Sequence, residues 1–138
     1  MKKTVWIWNH YAGSMYEEQG GRHYAFAKYL KQAGYEPVVF CCNARHGKVE
    51  TYFPDTELWQ EHEAEKIGVP FVFVRGRTYG GNGAQRVLNM VDFYRNVKKT
   101  ARAYAKARGK PDVIYASSVH PLTLVAGCLL YTSDAADE

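Results

Sequence analysis

Two stretches of the chain put chemically capable residues where a strand gives way to a helix. The first reads Asn9-His10-Tyr11 and continues to Gln19-Gly20-Gly21-Arg22-His23; the second reads Ser117-Ser118-Val119-His120-Pro121. A glycine pair at a helix start lets a ligand approach the backbone closely, and the N–H groups there favour an anion such as phosphate. The pair also suits a plain flexible turn. Its place directly after a strand favours ligand binding at Gly20, Gly21 and the adjoining Arg22. His120, at a strand exit, can donate to or accept from a sugar hydroxyl or a phosphate near neutral pH; it could equally cap the helix that follows. His10 could hydrogen-bond loop backbone and His23 could pack under the first helix, while His46 and His62 are expected in solvent. The spacings match neither a GxGxxG dinucleotide fingerprint nor a GxxxxGK[ST] phosphate loop. No pair of histidines has HExxH spacing and there is no Cys/His cluster, so no protein-bound metal is expected. Ser118, His120 and Asp112 could form a triad on paper, but no GxSxG elbow supports one.

The elements that must carry these residues alternate between strand and helix. Thr4–Asn9 is predicted as a strand covered on both faces, followed by a polar loop from His10 to Gly21. Phe26, Ala27, Leu30 and Ala33 form a helical stripe within Arg22–Ala33, stopped at Gly34. Pro37–Cys42 is a second strand and Asn43–Asp55 a loop. Thr56–Lys66 is predicted as a short polar helix ended by Gly68, Val69–Arg75 as a third strand, and Gly76–Gly83 as a second glycine-rich loop. Ala84–Arg108 is a long helix with apolar positions at Val87, Met90, Val91, Tyr94, Val97, Ala101, Tyr104 and Ala105. Asp112–Ser117 is a fourth strand, and Pro121 stands near the start of another helix. Such alternation argues for an α/β fold, a parallel sheet with helices on both faces. Ligands then bind in the crevice at the C-terminal ends of the strands.

The 138 residues suit one domain or little more, and 46% hydrophobic content is ample for a packed core, which excludes wholesale disorder. No apolar run reaches the roughly 18 residues of a membrane span, and the Val5–Trp8 run is too short for a signal-peptide core, so a cytoplasmic location is expected. Cys41, Cys42 and Cys128 make neither a disulfide framework nor a metal spacing, and the adjacent pair should point to opposite faces of a strand. The final eleven residues, Cys128 to Glu138, resemble a conceptual translation of the transposon-end adapter used to build sequencing libraries. Residues 128–138 are therefore expected to be a non-native tail, and residues 1–127 an incomplete domain whose gene continues past Gly127. Without Asp134, Asp137 and Glu138, the net charge of +4 becomes 18 bases against 11 acids, or +7. Part of that charge lies on one side of the long helix, at Arg95, Lys99, Arg102 and Lys106. This is either a solvated face or a surface for anionic lipid head groups. No nucleic-acid module is recognisable, and no nucleic-acid partner is expected.

Taken together, these residues resemble the N-terminal domain of family-4 glycosyltransferases of the GT-B fold. The resemblance is carried by the opening strand into Asn9-His10-Tyr11 and by the Gly20-Gly21-Arg22-His23 helix start. It extends through Leu30-x-x-x-Gly34-Tyr35-x-Pro37-Val38-Val39 and Asp112-Val113-Ile114-Tyr115-Ala116-Ser117-Ser118-Val119-His120-Pro121, spanning about Lys3 to Gly127. Tyr79-Gly80-Gly81-Asn82-Gly83 before a long helix fits the subgroup that builds cell-surface polysaccharides. The resemblance implies a Rossmann-like domain that receives the acceptor, facing a second domain that holds most of the nucleotide-sugar donor. It implies that the backbone of Gly20 and Gly21 nears the donor pyrophosphate. It makes His120 the residue of the catalytic centre, where it would orient the transferred sugar rather than act as a general base. Arg22, His10, Tyr11, Ser118 and Asn82 complete the implied substrate-binding set. The implied reaction is retaining and metal-independent, a hexosyl transfer with the nucleotide-sugar as co-substrate and no other cofactor. The acceptor would be a saccharide or a lipid-linked saccharide met at the inner face of the plasma membrane. The donor half is missing from this sequence, so the chain alone is expected to be inactive. The competing class is a non-catalytic, Rossmann-like nucleotide- or phosphate-binding module. An NAD-dependent enzyme is disfavoured, because Cys41-Cys42-Asn43 ends the second strand where an acidic residue would be needed.

Overall fold

The computed structural model describes residues 2–80 and 83–117. The expectations for Asn82, Ser118, His120, the helix after Pro121 and the tail at 128–138 lie outside those residues.

Among the described residues, five strands form one sheet. They are β1 (Thr4–Trp8), β2 (Glu36–Cys42), β3 (Trp59–Ala64), β4 (Val69–Val74) and β5 (Val113–Ala116), and their spatial order is β3-β4-β2-β1-β5. β4, β2, β1 and β5 run parallel, and β3 is antiparallel to β4. The order reverses at β1, because the chain steps from β1 to β2 on one side and later crosses back to β5 on the other. In an open parallel sheet, ligands bind at such a reversal, beyond the C-terminal ends of the strands.

Among the described residues, three helices accompany the sheet: α1 (Gly13–Glu18), α2 (Arg22–Gln32) and α3 (Ala84–Arg108). Alternation along β1 and β2 sorts side chains into two layers. Trp6, Trp8, Phe40 and Cys42 pack with Phe93, Val97, Ala101 and Tyr104 of α3. Ile7, Val39 and Cys41 pack with Tyr24 and Ala27 of α2 on the other face. β1 and β2 are thus covered on both sides, which is why their sequences read as unbroken apolar runs. Cys41 and Cys42 divide between the two layers, both as free thiols.

Three expectations are corrected. The stretch expected to be a polar helix at Thr56–Lys66 contains β3 instead. Its polar side chains alternate between faces: Tyr104 donates to Glu61 Oε1 (2.5 Å) on one side, and the His62 ring stacks on Phe53 at 3.6 Å on the other. The unpaired backbone of apolar β4 provides the ladder, and Gly68, at φ +65°, completes the turn between the two strands. Secondly, the loop after β1 contains α1. Thirdly, the buried stripe of α3 is Asn89, Phe93, Val97, Thr100, Ala101 and Tyr104, so Val87 faces outward at 58% exposure. Two polar residues in the stripe hid its true phase.

Candidate functional site

The C-terminal edge of the sheet collects the chain exits of β1, β2 and β4 and the amino ends of α2 and α3. Two neighbouring residues at the exit of β1 reach in opposite directions. Asn9 turns towards α2, where its Nδ2 lies 3.0 Å from the ring nitrogens of His23. Its Oδ1 accepts from the Tyr11 backbone N–H at 2.8 Å. His10 turns towards α3, where its Nε2 meets Asn89 Oδ1 at 2.7 Å and its ring packs edge-on to Phe93. Asn9, His10, His23 and Asn89 are all buried.

The glycine pair stands at the amino end of α2. Gly21 is its N-cap, with φ +107°, and a Cβ there would lie 2.8 Å from Met15 Cγ. Gly20 has open space around it, its nearest heavy atom being 4.0 Å away. Arg22 opens the helix in solvent, and the first turn has no acidic residue. Burial, and secondarily Arg22, lowers the pKa of His23, so its ring is a neutral acceptor for Asn9 near pH 7.

A second cluster lies on the α3 side. Tyr11 packs edge-on against both His10 (4.4 Å between ring centres) and His46 (4.8 Å). His46 Nδ1 lies 2.6 Å from the hydroxyl of Tyr79, which is 1% exposed. Burial, reinforced by Tyr11, pushes the Tyr79 pKa up to about 12, so its hydroxyl stays protonated beside His46. Arg86, in the first turn of α3, sits against the Tyr11 hydroxyl, which raises the guanidinium pKa further. Asn89 Nδ2 donates to the Arg77 carbonyl at 2.7 Å and ties this loop to His10.

Of the sequence-predicted residues, Gly20, Gly21, Arg22, His10 and Tyr11 all lie at this edge. Gly20, Gly21 and Arg22 belong to the α2 side and Tyr11 to the α3 side. His10, at 2% exposure, holds Asn89 and Tyr11 in place. His46 is exposed but held by Tyr79, and His62 is stacked rather than solvated. Sequence reading missed Tyr79, Arg86 and Asn89; the signal for Arg86 was an uncapped basic residue three positions after Gly83. Asp112 precedes β5, its Oδ2 accepting from the Thr4 N–H at 2.8 Å, while Ser118 and His120 of the paper triad lie outside the described residues. Among the described residues, no group of three or more His, Cys, Asp or Glu could hold a metal ion. No helix among them is long and apolar enough to cross a membrane.

No protein-family model matches the sequence, and no curated protein or solved structure matches it.

Proposed function

We propose that this chain is the acceptor-side, Rossmann-like half of a GT-B glycosyltransferase that moves a hexosyl group from a nucleotide-sugar to a cell-envelope saccharide or lipid-linked acceptor. The observation that carries this reading is the glycine turn at the amino end of α2, tied through His23 and Asn9 to the exit of β1, where the strand order reverses. At such a point the N–H groups of a helix start can face the diphosphate of a departing nucleotide. Gly20, with open space where a side chain would stand, leaves room for that approach.

The chemistry asked of this half is positioning. Arg22 and the α2 amino end stabilise negative charge on the leaving diphosphate, and His120 orients the sugar that departs from it. The retaining, metal-independent course follows from the family resemblance. The exposed bases Arg95, Lys99, Arg102 and Lys106 on α3 support docking of this half on the anionic inner face of the membrane from the cytoplasm.

The test is calorimetric titration of the 138-residue chain with a nucleoside diphosphate. Saturable binding that Gly20→Val abolishes is expected, with no sugar transfer by this chain alone. No binding, or binding indifferent to Gly20→Val, removes the glycine turn from the donor site. In the complete enzyme, His120→Ala is expected to lower turnover strongly. If nucleotide binds but the complete protein transfers no sugar, the chain is a binding module instead.

A further inference from the structure

His46, in the turn after β2, stands at the C-terminal edge of the sheet with one ring nitrogen held and the other open. Its Nδ1 lies 2.6 Å from the hydroxyl of Tyr79, which is buried, whereas His46 itself is exposed. Its Nε2 has no partner among the described residues. An exposed side chain on a turn ordinarily changes rotamer freely, but this turn is fixed around it. At its base, the buried Asn43 side chain donates to the Phe53 carbonyl at 2.9 Å and accepts from the Phe53 N–H at 3.0 Å. Across it, the Arg45 N–H donates to the Glu50 carbonyl at 2.9 Å, and Ala44 bridges to Thr51. The Arg45 guanidinium bonds both carboxylate oxygens of Glu17 in α1 at 2.6 Å and lies over the Tyr52 ring at 4.5 Å. Tyr11 then packs edge-on against the imidazole, 4.8 Å between ring centres. The buried Tyr79 hydroxyl needs a protein partner, but an exposed imidazole does not, because water satisfies it. An imidazole oriented through one nitrogen and open at the other is how a protein aims a hydrogen bond at a ligand.

We infer that His46 is an acceptor-binding residue, its Nε2 hydrogen-bonding a sugar hydroxyl of the acceptor, with Tyr79 as the residue that positions it. The inference rests on the proposed transferase reading for the word acceptor, but binding of a hexoside at His46 does not. A hydroxyl both donates and accepts, so it pairs with Nε2 in either tautomer of the ring. Glu50 of the turn and Glu17 of α1 are both engaged by Arg45 and leave the imidazole to the ligand. The half-buried ring of Tyr11 beside it supplies an apolar surface for the C–H face of a sugar, the usual complement to a few aimed polar groups. The portion of the acceptor that enters this edge is therefore its saccharide, not the phosphate or the lipid of a lipid-linked molecule.

Ring resonances of His46 and Tyr11 in the 138-residue chain, followed by NMR during titration with methyl hexosides of gluco, manno and galacto configuration, test this. At least one of the three is expected to shift both rings saturably at millimolar concentration. His46→Ala, read from the Tyr11 ring, is expected to weaken that binding about threefold to tenfold, as loss of one neutral hydrogen bond would. Tyr79→Phe keeps the buried ring and removes only the hydroxyl. It is expected to redistribute the His46 tautomers, seen in the ring-nitrogen shifts, and to weaken hexoside binding as well. Should Tyr79→Phe also lower stability, His46→Ala, at an exposed position, still decides. The inference is overturned if no methyl hexoside gives a saturable shift, or if His46→Ala binds as the unaltered chain does. Tautomers that change in Tyr79→Phe with no change in affinity make the bond to Tyr79 merely structural and overturn the positioning role. A nucleoside diphosphate titrated in parallel should bind His46→Ala as it binds the parent; if that substitution removes nucleotide binding instead, His46 is a donor residue and the inference falls. Failure of the transferase reading shows separately, as hexoside binding that depends on His46 in a chain that binds no nucleoside diphosphate.

Discussion

His10 and Asn89, 79 positions apart in sequence, are joined by a 2.7 Å hydrogen bond inside the molecule. Asn89 also donates to the Arg77 carbonyl, so one amide holds the exit of β1, the exit of β4 and the start of α3 in a single arrangement. Asn89→Leu fills similar space but takes the amide away from the His10 imidazole and the Arg77 carbonyl. The expected cost is about 2–3 kcal/mol, read as a lower urea midpoint with an unchanged slope. A variant as stable as the parent would show that His10 finds another partner there.

The two glycines of the α2 turn should respond differently. Gly21→Ala forces a side chain onto φ +107° and against Met15, so a loss of about 1–3 kcal/mol is expected from thermal or urea unfolding. Gly20→Ala meets open space and should change stability by less than about 0.5 kcal/mol. The larger Gly20→Val substitution, which intrudes on the diphosphate, should then appear in nucleotide affinity rather than in folding.

Stability should fall as the solution is acidified from neutrality. Burial lowers the pKa values of His23 and His62 in the folded chain, below the ordinary value of 6.5. Above about pH 6.5 both rings are neutral, folded or unfolded. As pH falls through that value, the unfolded chain takes up protons first, so the unfolded state gains and stability declines. The decline continues until the depressed folded values are passed and then levels off. Urea midpoints measured between pH 7.5 and pH 5, in this protein and in His23→Gln, check it; the variant should show a shallower slope.

Phe26, Tyr29, Val113 and Tyr115 stand 42–61% exposed beside β5 and line an apolar groove with Leu30. A contiguous apolar surface of this kind drives association. The chain is expected to self-associate with rising concentration, and Val113→Thr with Tyr115→Thr should suppress this without changing the circular dichroism spectrum. Light scattering across a dilution series is the measurement.

The apolar strands were legible because burial on both faces writes itself as unbroken hydrophobic runs, as in Val38–Cys42. The start of α2 was legible because a glycine pair precedes its apolar stripe, and Gly21 stands there as N-cap at φ +107°. β3 was not: Trp-Gln-Glu-His-Glu-Ala consists largely of helix formers, and its strand character comes from a partner, the free edge of β4. The α3 cluster was hidden for a related reason. Tyr79 and Arg86 flank a glycine-rich loop whose sequence does not say what they meet, and Asn89 lies in a buried stripe that hydropathy alone assigns to Val87 and Met90. What joins them to Tyr11 and His46 is the crossing of α3 beneath the sheet, which no window of sequence contains.

Among the described residues, the two outer strands of the sheet are unlike, and they differ in what they admit at their free edges. β3 carries Glu61 and Glu63 along its length, side chains that discourage another strand from docking, whereas β5 has apolar residues at Val113 and Tyr115. Among the described residues, a second copy can extend the sheet only at β5. Two copies meeting edge to edge there would form a continuous sheet ended on both sides by β3. For the described residues, two copies paired through this edge would leave only β3, with its carboxylates, at both outer edges.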